Sequence, residues 1–236
     1  MFKSKAETLS FLQKNLKLAE IPKSYFFSAS EWKKRRKKII LNIQNNFNGK
    51  IAIRSSAADE DSHKNSNAGK YFSFLNVNSK KTSEISKKVF KIINSYKNIS
   101  QTKSQILIQQ MVSSINCSGV VFNRDLNTGA NYYAINYDDV TGKSDTVTSG
   151  NTQNSNRLLF VLKNSLLNVK SKRFSKLLYS IKEIEKIYND IPLDIEFIIS
   201  KKIKIYILQV RPLILFKKTS TKQEKEIFYR VENLKN

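Results

Sequence analysis

The chain has 236 residues, 40% of them apolar, with 42 basic against 19 acidic side chains and a formal net charge of +23. That length can bury a core as one large domain or two small lobes, while no apolar run approaches the roughly 18 residues of a membrane span and the N-terminus has no charged-then-apolar leader. A single cysteine, Cys117, excludes an internal disulfide framework and fits a reducing, cytoplasmic setting.

Ala6, Leu9, Leu12, Leu16 and Ala19 form a helical stripe within residues 3–19, closed by Ile21 and Pro22. Tyr25–Phe27 reads as a short strand, and Ser28 or Ser30 caps a second helix over 31–46. Within it Lys33–Lys38 are six consecutive cations, either solvated surface or a docking patch for an acidic partner, and Trp32 packs the helix. The overall charge favours salt-sensitive sticking to polyanions. Its lysines are spread among asparagines and isoleucines without a nucleic-acid module, so no specific nucleic-acid partner is expected.

Lys50–Arg54 reads as a strand that delivers Arg54 to a polar loop, 55–70. A guanidinium at a strand end can take a phosphate bidentately, with Glu60 and Asp61 to orient it. Gly69 allows the close backbone approach that a loop over phosphates needs. His63, the only histidine, reads as an ordinary exposed loop residue. Tyr71–Val77 is expected as a strand, 79–97 as a helix with Ile85, Val89, Ile92 and Ile93 inward, and Gln105–Val112 as a buried strand. Gly119–Arg124 and Tyr132–Tyr137 follow as strands, then 158–163 as a strand. Residues 172–188 form a helix on the stripe Phe174, Leu177, Leu178, Ile181, Ile184 and Ile187.

Residues 192–212 read as two strands joined by a polar turn at Ser200–Lys202. Asp194 and Glu196 share one side of the first strand, and Gln209 and Arg211 one side of the second. Two carboxylates at this spacing suit Mg²⁺, which takes one or two carboxylates together with phosphate oxygens. A permanently charged arginine suits the phosphate itself. The same pattern also describes a half-buried hairpin with charged residues on its wet face. The tail, 217–236, is highly charged.

Four stretches stand in a telling order: Ile51–Ser62 with Ser66–Gly69, Gln109–Val112, Ser118–Asp125, and Asp194-Ile-Glu196 with Gln209-Val-Arg-Pro212. Over nearly the whole chain they resemble the ATP-grasp domain of phosphoenolpyruvate synthases and pyruvate phosphate dikinases. The resemblance implies an α+β, two-lobed ATP-grasp fold with ATP in the cleft between lobes. It places the N-terminal lobe at 1–111, the C-terminal lobe at 112–216 and a charged tail or linker at 217–236.

By the same resemblance Asp194 and Glu196 hold Mg²⁺, while Arg54, Gln209 and Arg211 take phosphate oxygens, the two arginines as the catalytic pair. Gly69 belongs to the phosphate-covering loop, and backbone groups of Gln110, Met111 and Val112 meet the adenine edge, with Met111 packing on the ring or simply in the core. Lys5 matches the family's ATP lysine, although the glycine pair that precedes it there is absent and a surface lysine in a first turn is the other reading. The family passes a phosphoryl group from ATP to a histidine on a separate swivelling domain and then to a small acceptor, leaving AMP. Those further domains are not in these residues. The chain is therefore expected to be part of a longer enzyme or a subunit served by a phosphohistidine-domain protein. Asp138–Gly150, ending in Val-Thr-Ser-Gly, is similar to shorter relatives encoded with capsular polysaccharide genes, some of them glutamine kinases. The alternative is a catalytically inactive basic ATP-grasp scaffold or a nucleic-acid-binding protein.

Overall fold

Ser4 and Glu7 cap the first helix, α1 (Lys5–Asn15), reciprocally: the Glu7 N–H donates to the Ser4 hydroxyl at 3.3 Å, and the Ser4 N–H donates to the Glu7 carboxylate at 3.2 Å. Leu16 returns to an extended conformation, so the helix stops short of Ala19, and Ala6, Leu9 and Leu12 supply its buried face. The computed structural model describes residues 3–57, 72–96, 104–141, 156–164 and 169–215. The remaining elements are β1 (Ser24–Ser28), α2 (Ala29–Asn46), β2 (Lys50–Ala57), β3 (Ser73–Asn78), α3 (Thr82–Ser95), β4 (Ser104–Gln110), β5 (Ile115–Phe122), β6 (Tyr132–Asp138), β7 (Arg157–Leu162), α4 (Lys172–Ile187), β8 (Leu193–Ser200) and β9 (Ile205–Pro212). They form two compact units. The first runs through Ser114 and takes in Tyr206–Arg211; the second spans Ile115–Ile205 and resumes at Pro212.

In the first unit the sheet order is β1-β4-β2-β3, antiparallel throughout. One sheet face buries Ile51, Ile53, Ile106 and Ile108 with Trp32, Ile39 and Ile43 of α2 and Ile85, Val89 and Ile92 of α3. Alternation then sends Ala52, Arg54 and Ser56 of β2, and Gln105, Leu107 and Gln109 of β4, to the other face. There α1 lies, with Ser4 Oγ donating to Gln105 Oε1 at 2.7 Å and the Ala6 N–H donating to Ser56 Oγ at 2.9 Å.

Ser28, not Ser30, caps α2, in a second box with Glu31, and its bonds hold the Glu31 carboxyl below its ordinary pKa. In a straight helix, residues 35 and 36 would fall on the Trp32–Ile39–Ile43 stripe. Arg35 instead leaves helical geometry (φ −132°, ψ 28°), and every residue from Lys33 to Lys38 is exposed. Arg36 lies 5.6 Å from the Trp32 ring centroid.

In the second unit β5 pairs with β6 and β8, and β6 pairs with β7, giving the order β7-β6-β5-β8. The α4 stripe Phe174, Leu177, Leu178, Ile181 and Ile184 is buried, and Phe174 meets Tyr137 edge-on at 4.8 Å. Gly119 is required by its neighbour strand, because an added Cβ would sit 2.2 Å from the Asn136 carbonyl oxygen. The turn after β8 closes with the Ser200 N–H donating to the Lys204 carbonyl at 3.0 Å and the Ile203 N–H donating to the Ser200 carbonyl at 2.8 Å. The class is α+β, as the sequence implies. Among the described residues no helix is long and apolar enough to cross a membrane.

Candidate functional site

Strand β2 carries Arg54 into the interior of the first unit: the residue is 8% exposed and stands opposite Leu107 on β4. Lys5, equally buried, is the first residue of α1, the helix that covers this same sheet face. The register also brings Gln109 onto it, opposite Ala52 and Ser24. Gln109 is 2% exposed, and its Nε2 has no hydrogen-bond partner among the described residues. A buried amide donor left open costs free energy unless a ligand or water meets it. Diagonal neighbours on a sheet are within reach of long side chains, so Gln109 and Arg54 offer donors side by side. Sequence reading singled out Gln110 rather than Gln109, and only the strand register separates their faces.

Gln110 has a different task. Its Nε2 donates to the Asn48 and Lys50 carbonyls at 2.7 and 2.8 Å, and its Oε1 accepts the Asn48 N–H at 3.2 Å. It thereby holds the entry to β2. The Gln110 and Met111 N–H groups donate to the Lys23 and Lys50 carbonyls at 2.8 and 3.1 Å. Those two donors are engaged within the protein. Met111 and Val112 are half-buried just past β4. Gln209 is buried and Arg211 half-buried on β9, whose Ile207 N–H donates to the Glu20 carbonyl at 3.0 Å. Gly69, Glu60, Asp61 and His63 lie outside the described residues.

In the second unit the register sets Asp194 opposite Phe122 and Glu196 opposite Val120. Ile195 and Phe197 share the α4 face with Tyr137, so Asp194 and Glu196 project from the face away from α4. Asp194 is buried and Glu196 half-buried. Among the described residues no group of three or more His, Cys, Asp or Glu side chains could hold a metal by itself. Two hard oxygen donors on one strand face nonetheless fit Mg²⁺, which completes its shell with water and phosphate oxygens.

A polar cluster that sequence reading did not find lies under α4. Glu185, 2% exposed, accepts from Tyr133 Oη at 2.6 Å and from Asn123 Nδ2 at 2.8 Å, and pairs with Lys163. Burial lowers the Lys163 pKa despite this pairing; burial, then the bond to Glu185, raises that of Tyr133. Glu185 falls among the apolar positions of the α4 stripe, and that misplaced charge was the one available signal.

Two antiparallel sheets with helices, one bearing buried cationic and amide donors and the other a carboxylate pair, are the α+β arrangement that the resemblance to an ATP-grasp domain implies. The model of the pyruvate phosphate dikinase AMP/ATP-binding domain matches residues 27–176 and 133–232, and the chain belongs to that family. No curated protein sequence matches. Among solved structures, the chain is similar to D-alanine–D-alanine ligase from Helicobacter pylori (12% identity, TM-score 0.47, covering 89% of this chain and 54% of that one). It is also similar to D-alanyl-alanine synthetase A from Vibrio cholerae (12%, TM-score 0.49, 96% and 59%) and to VanG D-Ala:D-Ser ligase from Enterococcus faecalis (9%, TM-score 0.46, 88% and 51%). The chain thus spans little more than half the length of these proteins.

Proposed function

We propose that this chain is the nucleotide-using part of a phosphotransferase, binding Mg·ATP and passing a phosphoryl group to a histidine on a separate domain or partner protein. A small acceptor, either a pyruvate-like acid or the side-chain amide of glutamine as in capsule phosphoramidate synthesis, would receive it next. The observation that carries the reading is the buried donor face of the first unit, where Arg54 and an open Gln109 amide lie on one sheet face in a chain of an ATP-binding family.

Phosphoryl transfer asks a protein for positioning and charge neutralisation more than for covalent chemistry. Arg54 and Arg211 supply fixed positive charge for phosphate oxygens, Gln209 and Gln109 supply neutral donors, and Lys5 a further cation. Bound at Asp194 and Glu196, Mg²⁺ would add charge neutralisation at the phosphates. Burial of Arg54 and Asp194 keeps both in low-dielectric surroundings, where their fields are least screened.

The test supplies the chain with radiolabelled ATP, with and without a phosphohistidine-domain protein. With the label on the β-phosphate, label appearing on the histidine protein together with AMP and one inorganic phosphate per transfer supports the reading. A phosphorylated metabolite made rapidly by this chain alone would contradict the division of labour. The exposed cations Lys33–Lys38 favour a second reading, a basic scaffold that binds polyanions. RNA binding that falls with salt and ignores Arg211→Ala, with no Mg·ATP binding, would support that reading instead.

A further inference from the structure

Asn123 is fully buried at the end of β5, one residue past the last rung of the β5–β8 ladder, Phe122 opposite Asp194. Its side chain carries that ladder one step further. The Leu193 N–H donates to Asn123 Oδ1 at 2.5 Å, and the Asn123 N–H donates to the Leu193 carbonyl at 3.1 Å. The other end of the amide donates to the Ile191 carbonyl at 2.9 Å and to Glu185 Oε1 at 2.8 Å. Residues 191–193, which lead directly into Asp194, are therefore held by three bonds from one residue. The turn before them places both Asn189 and Asp190 at φ 55°, a left-handed conformation that persists when its surroundings determine it.

Glu185 decides which way this amide points. A carboxylate accepts only, so the NH₂ end of Asn123 must face it and the oxygen end must face Leu193. Tyr133 donates to the other oxygen of the Glu185 carboxylate, and Lys163 pairs with the same oxygen as Asn123. Well-packed apolar residues would often stabilise a core as well as a buried ionic cluster does, and fixing one arrangement is the better-attested use of such a cluster. Nothing in the proposed nucleotide chemistry employs this one, which lies on the α4 side of the sheet.

We propose that Asn123, oriented by Glu185, is a positioning residue for Asp194. It fixes where β8 begins and hence where the first carboxylate stands. The proposal rests on the reading that Asp194 and Glu196 take a divalent cation. Residues behind a metal ligand commonly change metal affinity by about 10- to 100-fold when altered. Asn123 acts through the backbone, so the lower end is expected.

The experiment measures thermal unfolding with ADP, first in chelator and then across a MgCl₂ series, for the wild-type chain and Asn123→Ala, Asn123→Ser and Tyr133→Phe. Ligand-dependent stabilisation reports binding to the folded protein without any turnover. Both Asn123 variants should raise the Mg²⁺ concentration for half-maximal stabilisation about tenfold, with the shift given by ADP in chelator unchanged. Should the alanine variant not fold, the serine variant gives the answer. Tyr133→Phe, which loses one bond on Glu185 but leaves the Asn123 bonds to Glu185, Ile191 and Leu193 in place, should unfold at lower temperature with an unchanged Mg²⁺ midpoint. A wild-type midpoint in the folded Asn123 variants, or an equal displacement in Tyr133→Phe, would overturn the proposal. A wild-type chain stabilised by ADP but indifferent to Mg²⁺ would instead remove the cation reading on which it rests.

Discussion

Ser56 Oγ accepts the Ala6 backbone N–H at 2.9 Å, tying the first turn of α1 to the strand that carries Arg54. The bond satisfies one of the N–H groups that every helix start leaves open, and it fixes Lys5, one residue earlier, against the donor face. Ser56→Ala leaves that buried N–H without its partner, at a cost of about 1–3 kcal/mol. Urea unfolding should show a lower midpoint with an unchanged slope. If Lys5 serves the nucleotide, the variant should also show weakened ATP stabilisation.

Gly119 has no room for a side chain. A Cβ at this position would stand 2.2 Å from the Asn136 carbonyl oxygen and 2.8 Å from the Tyr137 Cα, both of them backbone atoms of the paired strand. Relief requires moving β5 from β6, and overpacking of this kind costs on the order of 1–3 kcal/mol or more. Gly119→Ala should therefore lower the urea midpoint strongly, whereas Gly49→Ala, with open space around its Cβ but φ at +70°, should suffer only from its backbone conformation.

Cys117 is wholly buried in β5, and burial pushes its thiol pKa up to about 12. The thiolate is the reactive species, so the native protein should resist alkylation at pH 8 and react only as it unfolds. The sign follows from the raised folded-state pKa. The thiol's contribution to stability is complete below the unfolded thiol's ordinary pKa and is lost as pH rises toward 12. Labelling rates across a denaturant series check this, and rapid labelling of the folded chain would contradict it.

Helices and strands were legible wherever one periodicity held. The α4 stripe and the inward positions of α3 read directly, and the β8–β9 turn was marked by its lysines between two apolar runs. Departures came where a particular hydrogen-bond or pairing partner, rather than periodicity, decided the outcome. Ser28 and Ser30 are equivalent as caps until Glu31 selects the one three residues before it. Gln109 and Gln110 are adjacent glutamines, and pairing with Ala52 and Ile51 sends them to opposite faces. Asn123 and Glu185 stand 62 residues apart, so their contact leaves no local pattern. The Asp194–Glu196 pair was visible because two-residue spacing on a strand is itself a geometry. The loop expected to cover phosphates with Gly69 lies outside the described residues.

The most direct measurement compares thermal unfolding of the wild-type chain and Arg211→Ala, with and without Mg·ATP at moderate salt. A ligand that binds only the folded state must raise its stability, by about 2.7 kcal/mol at a hundredfold excess over Kd. A Mg²⁺-dependent rise in unfolding temperature that Arg211→Ala abolishes is the predicted result. Equal stabilisation of both proteins, or stabilisation of neither, would contradict the assignment of this chain as a working Mg·ATP-binding domain that uses Arg211.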